Sequence, residues 1–430
     1  MDRRADRTQK SGPGLDRWLG LAVVAAVAVR VALALSPQVG GNTLRLPDSM
    51  SYHYAAKSLL EEGQLWFSET RRPEEAQRAK REPGYPLFVA GCYAVFGPRP
   101  AAVRLVQALV GAVVCWVVYA LARSVAGRTA GRAAALVAAL YPYLALTSAL
   151  VLTESLYTTL LWLALWATTA GEARRRHILG SGLAWAGLAA VRGEALVMFS
   201  AVAAAALLVS RRRAALAPRL VAGVVGLVLV TGVWAWRNQR AVGHPVFTSL
   251  NVGETLYDSL WPGADGSSNK QAFMPAILAT QQWQALDEVG RDRWLRQMAL
   301  QNARAHPGHV LRLAWRKVAR TWSPVPSAAA GVGPAGRGVL AAAFLVVTLA
   351  GVCGSLRHRR RWRTWAVWLV PAVVVTAAHL VIVGSIRYRI PAMPFFVVMA
   401  GASLVRSEKT GVRFQMSGFR TPDTGYLTPE

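Results

Sequence analysis

The sequence predicts an all-α polytopic membrane protein with about ten transmembrane helices. Of its 430 residues, 53% are hydrophobic, and they occur in long blocks separated by short arginine-rich clusters. A helix needs about 20 apolar residues to cross a bilayer, and shorter ones are tolerated where neighbouring helices cover them. Blocks of this kind lie at about residues 18–36, 101–122, 132–148, 150–170, 177–192, 194–210, 217–236, 337–356, 364–384 and 389–405.

The net charge of +27, from 49 Lys and Arg against 22 Asp and Glu, does not indicate nucleic acid as a partner. The arginines stand at the ends of apolar blocks, and no aromatic and basic nucleic-acid-binding module is visible. This pattern is typical of topology determinants that contact anionic lipid, so we expect the lipid bilayer as the partner. Cys92, Cys115 and Cys353 lie far apart in apolar surroundings and predict neither a disulfide nor a metal site.

Alternate connections between the apolar blocks are rich in arginine, which predicts the orientation of the chain. Cytoplasmic loops retain Lys and Arg, so the basic connections should face the cytoplasm and the others should face outward across the inner (plasma) membrane. We expect a basic cytoplasmic N-terminus at 1–17, a transmembrane domain at 18–405 and a disordered cytoplasmic tail at 406–430. Two outward segments are long: the first extracytoplasmic loop, 37–100, and segment 237–336, which is predicted to contain amphipathic helices lying on the bilayer.

Within the first outer loop, the polar stretch 48–86 is interpreted as an active-site loop. A helix is predicted over 49–62, ended by Gly63. Asp48 at its start is either an N-cap that accepts backbone N–H bonds or a general base that takes a proton from an acceptor hydroxyl. Arg81 precedes the rigid turn Glu82-Pro83-Gly84-Tyr85-Pro86, where a fixed cation suits a phosphate; a solvated loop arginine is the alternative.

Other charged residues at the outer ends of apolar blocks need a physical reason, because charge near lipid is costly. Glu154 either carries chemistry or forms a buried pair with an arginine. Arg387 and Arg389 stand outside against the usual bias, which indicates an anionic ligand or anchoring to lipid headgroups. The same predicted side also carries Glu194, Arg192 and Arg237.

The order of these residues resembles the GT-C glycosyltransferases, in particular the protein mannosyltransferase and aminoarabinose transferase group with its bacterial Rgt-type members. The resemblance covers about residues 18–405. It is carried by Asp48-x-x-x-Tyr52, Gly63, Arg81-Glu82-Pro83-Gly84-Tyr85-Pro86, Gly97, Arg104, Thr153-Glu154, Arg192, Trp236-Arg237-Asn238 with Gly243, and Arg387-Tyr388-Arg389-Ile390-Pro391-Ala392-Met393-Pro394.

The resemblance implies a GT-C fold and an inverting transferase that moves a monosaccharide, mannose-like or another hexose or pentose, from a polyprenyl-phosphate donor to an extracytoplasmic acceptor. The family's acid in the first outer loop matches Asp48, and its acid near the outer end of a later helix matches Glu154. Its basic residue before a Pro-Pro turn matches Arg81, which would hold the donor phosphate with Arg192 or Arg387. Substrate contacts are predicted for Tyr52, Glu82, Tyr85, Arg237, Tyr388 and Arg389.

Two positions depart from the family pattern, and two other functions compete with it. Ser49 stands where many relatives carry a second acid, so no acidic pair is predicted for a metal and a requirement for a divalent ion stays open. Glu82 replaces the first proline of the turn and could pair with Arg81 or contribute chemistry. A transporter or flippase of lipid-linked sugar, suggested by Glu154 and His379, is one alternative, and a catalytically silent GT-C-like protein is the other.

Overall fold

The computed structural model describes residues 16–39, 44, 46–68, 76–170, 174–327 and 332–405. Within these ranges the chain is helical, and its one β-type contact is an isolated bridge between Phe67 and Gln77. The prediction of an all-α protein is confirmed. The predicted cytoplasmic N-terminus, up to residue 15, and the predicted disordered tail, 406–430, lie outside the described residues.

Helices occupy all ten predicted apolar blocks and both long outer segments. The α-helices of the described ranges are, in chain order, α1 (Arg17–Leu35), α2 (Pro47–Glu62), α3 (Gly84–Phe96), α4 (Pro100–Leu140), α5 (Pro142–Leu146), α6 (Glu154–Thr169), α7 (Arg175–Val191), α8 (Ala195–Val209), α9 (Arg213–Val242), α10 (Val252–Leu260), α11 (Lys270–Leu278), α12 (Gln281–Ala285), α13 (Glu288–Ala305), α14 (Pro307–Thr321), α15 (Pro334–Arg357), α16 (Trp362–Ala378) and α17 (Met393–Ser403). Of these described helices, α1, α4, α9 and α15 are long and apolar enough to cross a membrane by length and composition.

Helix α4 contains two predicted spans joined by a sharp reversal. Its regular dihedral angles are interrupted at Ala126 and Gly127, and Gly127 has a φ of +87°, which favours glycine. A Cβ on Gly131 would lie 2.9 Å from the carbonyl oxygen of Tyr119, whereas twelve residues of straight helix would separate them by about 18 Å. The chain therefore folds back on itself. The second span ends at Leu140, earlier than the predicted residue 148, because Pro142 cannot continue the helix.

Helix α17 lies at the centre of the bundle, and glycines allow its neighbours to approach it. All its residues from Met393 to Ala402 are buried. A Cβ on Gly354 of α15 would lie 1.9 Å from the Met399 carbonyl oxygen, and one on Gly401 would lie 2.7 Å from the Ala134 Cβ of α4. Lipid supplies little hydrophobic drive for helices to associate, so close contact through small residues stabilises such bundles.

Buried arginines close the C-terminal ends of several helices. The last carbonyl groups of a helix have no intrahelical donor and carry its negative dipole end, so a guanidinium satisfies both needs. Three such arginines occur among the described residues: Arg30 donates to Ala138 and Ala139 at the end of α4, Arg219 to Thr168 and Ala170 at the end of α6, and Arg389 to Thr321 and Ser323 at the end of α14. Part of the large positive charge is thus balanced by backbone carbonyls rather than by carboxylates.

The two long outer segments pack on each other over one end of the bundle. The predicted amphipathic stretch near 287–322 forms α13 and α14, separated at His306. The Glu288 carboxylate at the start of α13 accepts the backbone N–H groups of Arg78 and Ala79 in the first loop, at 2.8 and 2.9 Å. Elsewhere, Arg132 forms an ion pair at 3.0 Å with Asp16, which lies in the segment 1–17 that is predicted to be cytoplasmic. Which end faces the cytoplasm stays a prediction.

Candidate active site

Five charged residues from separate parts of the chain form one network of ion pairs. They come from the first turn of α2, the turn before α3, the start of α6, the end of α7 and the loop before α17. All five were predicted as catalytic or phosphate-binding residues: Asp48, Arg81, Glu154, Arg192 and Arg387.

Asp48 is the second residue of α2 and binds two arginines. Its Oδ1 lies 2.7 Å from Arg81 Nη2, and its Oδ2 lies 3.2 Å from Arg387 Nη2. The N-cap of α2 is Leu46, which makes no side-chain cap bond, so the N-cap alternative for Asp48 does not describe its contacts. Burial alone would raise the pKa of Asp48, but the charges of Arg81 and Arg387 outweigh it and hold this pKa well below its usual value.

Glu154 forms the buried centre of the network, with 1% of its side chain exposed. Its Oε1 accepts hydrogen bonds from Arg387 Nε at 3.0 Å and Nη2 at 2.8 Å, and from Arg192 Nη2 at 3.3 Å. Its Oε2 is buried without a hydrogen-bond partner in the part of the chain that the structure describes. The alternative of a buried pair is therefore realised with two arginines, and Arg387 bridges Glu154 to Asp48.

Arg192 completes the set of three cations. Its Nε donates to Thr153 Oγ1 at 2.9 Å, and its Nη1 lies 3.4 Å from Glu194, whose side chain is 43% exposed. The guanidinium also lies over the Tyr157 ring, 5.4 Å from its centre. With Glu194 included, three carboxylates face three guanidinium groups, so the network is close to neutral.

Aromatic residues line the network on the side of α2 and α3. The Tyr52 hydroxyl accepts a bond from Arg81 Nη1 at 3.5 Å, and the Arg81 guanidinium lies 5.1 Å from the centre of the same ring. Tyr85 packs edge-on against Tyr52 with ring centres 4.6 Å apart. Tyr85 is fully buried, and its hydroxyl donates a hydrogen bond to Gln107 Oε1. Tyr52 can therefore contact a ligand at Arg81, whereas Tyr85 supports Tyr52 from the core.

Glu82 binds the turn after α7, and the charge of Arg81 also acts on its carboxylate. Its Oε1 accepts the backbone N–H of Gly193 at 2.9 Å, and the Ser249 hydroxyl also donates to the carboxylate. A Cβ on Gly193 would lie 2.8 Å from this oxygen, so a glycine gives the contact its room. Desolvation raises the pKa of Glu82. Glu82 thus holds the turn that carries Arg81 against the turn that carries Arg192.

Three other residues predicted to contact substrate lie beside or away from the network. Tyr388 stacks on His379 with ring centres 4.8 Å apart, and the Arg192 guanidinium lies 5.9 Å from its ring centre. Arg237 donates to the carbonyl groups of Leu65 and Arg78, at 2.6 and 2.5 Å.

Arg389 is fully buried at the end of α14, with its guanidinium 3.7 Å from the centre of the Phe344 ring. The substrate contacts predicted for Arg237 and Arg389 stay predictions, and their contacts favour a structural role.

A second ion-pair group next to Arg81 was missed from the sequence. Glu254 of α10 lies 3.8 Å from the Lys80 ammonium group and also binds Lys270 at the start of α11. Burial would raise the pKa of Glu254, but the two lysines lower it to about 2. Lys80 precedes Arg81 directly, which is a weak signal, and nothing in the sequence pattern connects it to Glu254.

The acids of the network do not fit a divalent metal ion. No group of three or more His, Cys, Asp and Glu suited to a metal occurs in ranges 16–39, 46–68, 76–170, 174–327 and 332–405 or at residue 44. Asp48 and Glu154 both have arginines as neighbours, and a cation placed there would be repelled by the same charges that bind these carboxylates.

Comparison with known proteins identifies the fold. Residues 80–236 match the family model described as dolichyl-phosphate-mannose-protein mannosyltransferase. A solved structure of the apo oligosaccharyltransferase from Archaeoglobus fulgidus superposes with a TM-score of 0.52 at 12% identity, over 90% of this chain and 50% of that chain. The fold is that of the GT-C glycosyltransferases.

Two further structures show the same range of similarity. The archaeal oligosaccharyltransferase AglB from Archaeoglobus fulgidus, in complex with an inhibitory peptide and a dolichol-phosphate, gives a TM-score of 0.50 at 13% identity, over 90% of this chain and 50% of that chain. ArnT from Cupriavidus metallidurans bound to undecaprenyl phosphate gives 0.45 at 17% identity, over 91% and 78%. The chain thus spans about half the length of the archaeal enzyme. No curated protein sequence matches it.

The predicted resemblance to GT-C glycosyltransferases is confirmed by the family match, and the match supports glycosyltransferase activity in general terms. The matched range contains Arg81, Glu154 and Arg192, whereas Asp48 and Arg387 lie outside it.

Proposed function

We propose that this GT-C protein is an inverting glycosyltransferase that moves a monosaccharide from a polyprenyl-phosphate donor to an acceptor hydroxyl on the outer side of the inner membrane. The observation that carries the proposal is the convergence of three arginines with Asp48 and Glu154 at one end of an apolar helical bundle. A donor with an isoprenoid tail can keep that tail among apolar helices while its phosphate reaches these cations.

The three arginines supply a site for the donor phosphate. They are Arg81, Arg192 and Arg387, and each reaches the network from a different connection. Guanidinium groups bind phosphate and carboxylate oxygens with similar geometry, so phosphate can take over bonds that Asp48 and Glu154 accept in the free protein. The archaeal enzyme of the same fold was solved with a dolichol-phosphate, which is a ligand of this chemical class.

The ion pairs of Asp48 with Arg81 and Arg387 favour an order of binding. A carboxylate held by two guanidinium groups is a weak base, because proton uptake would break both ion pairs. When the donor phosphate engages Arg81 and Arg387, the field on Asp48 weakens, its pKa rises and one of its oxygens becomes available. The donor therefore binds first, and its binding prepares the base.

In the transfer step, Asp48 accepts the proton of the acceptor hydroxyl while that oxygen attacks the anomeric carbon from the face opposite the phosphate. The bond between the anomeric carbon and the phosphate oxygen breaks, and polyprenyl phosphate leaves with the electron pair. Arg81, Arg192 and Arg387 offset the charge that develops on this leaving group. Glu154 touches two of these arginines and sets their positions.

The test is transfer of labelled sugar from a panel of polyprenyl-phosphate mannose, other hexoses and pentoses in membranes with matched expression. Replacing Asp48 by Asn should lower kcat about 10²- to 10⁴-fold, the range for a general base. Arg81→Ala should mainly raise the KM for the donor. The matched control is Asp265→Asn, which breaks an exposed ion pair with Arg320 at 2.8 Å and should leave transfer unchanged.

Full activity of the Asp48→Asn protein would contradict the assignment of the base and direct attention to Glu82 or Glu154. Binding of polyprenyl phosphate without transfer of any sugar by the wild-type protein would instead support the catalytically silent alternative.

A further inference from the structure

Helix α14, Pro307–Thr321, presents an unusual outer face. Leu311 and Trp315 are 76% and 74% exposed, and they form one row with the exposed Ala319 at a spacing of four residues. Exposed apolar side chains that lie side by side in one patch can mark a contact with a membrane or a protein.

A row of arginines runs beside this apolar row, again at a spacing of four residues. Arg312, Arg316 and Arg320 are all exposed, and α14 contains no acidic residue. Arg320 is paired with Asp265, whose side chain is 54% exposed. Trp315, Arg316 and Arg320 also line a shallow groove on this face. The helix therefore combines an apolar row and a positively charged row on one accessible face.

The inner face of α14 holds the loop that carries Arg387. Lys317 is fully buried and donates from Nζ to the Val381 carbonyl oxygen at 2.7 Å. A Cβ on Gly384 would lie 2.2 Å from the Lys317 carbonyl oxygen, so the two backbones touch. Arg389, two residues after Arg387, donates to the carbonyls at the end of α14.

We propose that α14 docks on the bilayer surface by inserting Leu311 and Trp315 between anionic lipid headgroups that Arg312 and Arg316 bind, and that this docking fixes the loop that holds Arg387. The part that concerns Arg387 rests on the proposed function of the site.

Charge and chemistry both select the lipid surface as the occupant. A helix with Trp and Leu beside a row of arginines has the composition of helices that lie in the headgroup region, where basic side chains are attracted to anionic lipid. The helix belongs to a chain that already contains four membrane-length apolar helices among its described residues, so a bilayer is always near.

Docking can be measured without any catalytic activity. A polarity-sensitive fluorophore is attached to Trp315→Cys in a Cys353→Ala background, since Cys92 and Cys115 are buried. The protein is reconstituted in phosphatidylcholine vesicles with or without one-third phosphatidylglycerol, and quenching by spin-labelled lipid is recorded. We expect strong quenching in the anionic vesicles and at least a twofold loss with Arg312→Gln/Arg316→Gln. Arg359 and Arg360 are also exposed, and the fluorophore of the control variant Arg359→Gln/Arg360→Gln should be quenched as strongly as that of the parent.

The second measurement tests the link to Arg387. In anionic vesicles, Arg312→Gln/Arg316→Gln should raise the KM for polyprenyl-phosphate sugar at least threefold with little change in kcat, whereas the control pair should not. If the wild-type protein transfers no sugar, the same comparison is made with thermal stabilisation by polyprenyl phosphate. Absence of quenching overturns the docking, and quenching with unchanged donor binding overturns the link to Arg387. Neither result depends on whether Asp48 is the base.

Discussion

Replacing Glu154 by Gln removes one negative charge from the centre of the network while keeping the volume and one acceptor oxygen. Three charge-assisted hydrogen bonds end on Glu154 Oε1, two from Arg387 and one from Arg192. Each loses about 1 kcal/mol when the acceptor becomes neutral, so the change should cost about 3 kcal/mol. This agrees with the cost of about 3–5 kcal/mol for breaking a buried ion pair.

The stability of this variant can be followed through its own cysteines. Cys92 and Cys115 are buried and Cys353 is exposed, so a thiol-reactive fluorophore reports thermal unfolding in a Cys353→Ala background. Glu154→Gln should unfold several degrees below the parent. Polyprenyl phosphate should raise the unfolding midpoint of Glu154→Gln by more than it raises that of the parent, because its charge replaces the missing carboxylate between Arg192 and Arg387.

Glu194→Gln is the matched control, because Glu194 pairs with the same Arg192 but is 43% exposed. An exposed pair contributes about 0–1 kcal/mol, so its midpoint should stay near that of the parent. Equal midpoints for Glu154→Gln and Glu194→Gln would refute the argument that burial makes Glu154 the centre of the network.

Two further predictions concern the stability of the fold. Glu82→Gln should raise the unfolding midpoint at neutral pH and have little effect under acidic conditions. Folding raises the pKa of Glu82, so the stability that this residue contributes falls as the pH rises from its pKa in the unfolded chain to its pKa in the folded protein. An equal difference between the midpoints of the variant and the parent at every pH would contradict this. Gly354→Ala places a Cβ 1.9 Å from the Met399 carbonyl oxygen and should cost about 1–3 kcal/mol or prevent folding, whereas Gly232→Ala meets no atom within 4 Å and should fold normally in detergent-solubilised size-exclusion profiles.

The helices could be predicted from the sequence because each apolar block has the length and composition that a bilayer requires. The boundaries were less certain where backbone chemistry intervenes: the span predicted to reach residue 148 ends at Leu140, before Pro142. The helix predicted to begin at Ser49 begins at Pro47, since proline is favoured in the first turn.

The charged residues could be sorted by side of the membrane, but their partners could not. Side assignment and family resemblance together selected Asp48, Arg81, Glu154, Arg192 and Arg387, which the structure brings into contact. The same reasoning placed Arg389 among the substrate contacts, and in the structure it is fully buried and binds carbonyl groups. The side of the membrane on which residues lie determines which of them can come into contact, whereas the packing of the bundle determines which of them do.

For a related reason, the pairing of Glu254 with Lys80 and Lys270 could not be predicted from the sequence. The three residues come from the first loop and from two short helices of the second outer segment, and no periodic pattern relates those elements. Such contacts depend on how the two outer segments pack on each other, which is a property of the complete fold.

The arginine at position 30 has a consequence for how the protein is made. Its hydrogen-bond acceptors at the end of α4, Ala138 and Ala139, lie 108 and 109 residues later in the chain. When α1 leaves the ribosome, these two acceptors have not yet been synthesised, and Arg30 has the Ala26 carbonyl of its own helix as an acceptor, at 3.1 Å. An arginine at the centre of a membrane helix opposes insertion by about 2.5–3.5 kcal/mol, and Arg30, which lies nearer the end of α1, should oppose it by less. The bonds from Arg30 to Ala138 and Ala139 can form only after α4 has been made, so they stabilise α1 in the bundle at a later step than its insertion.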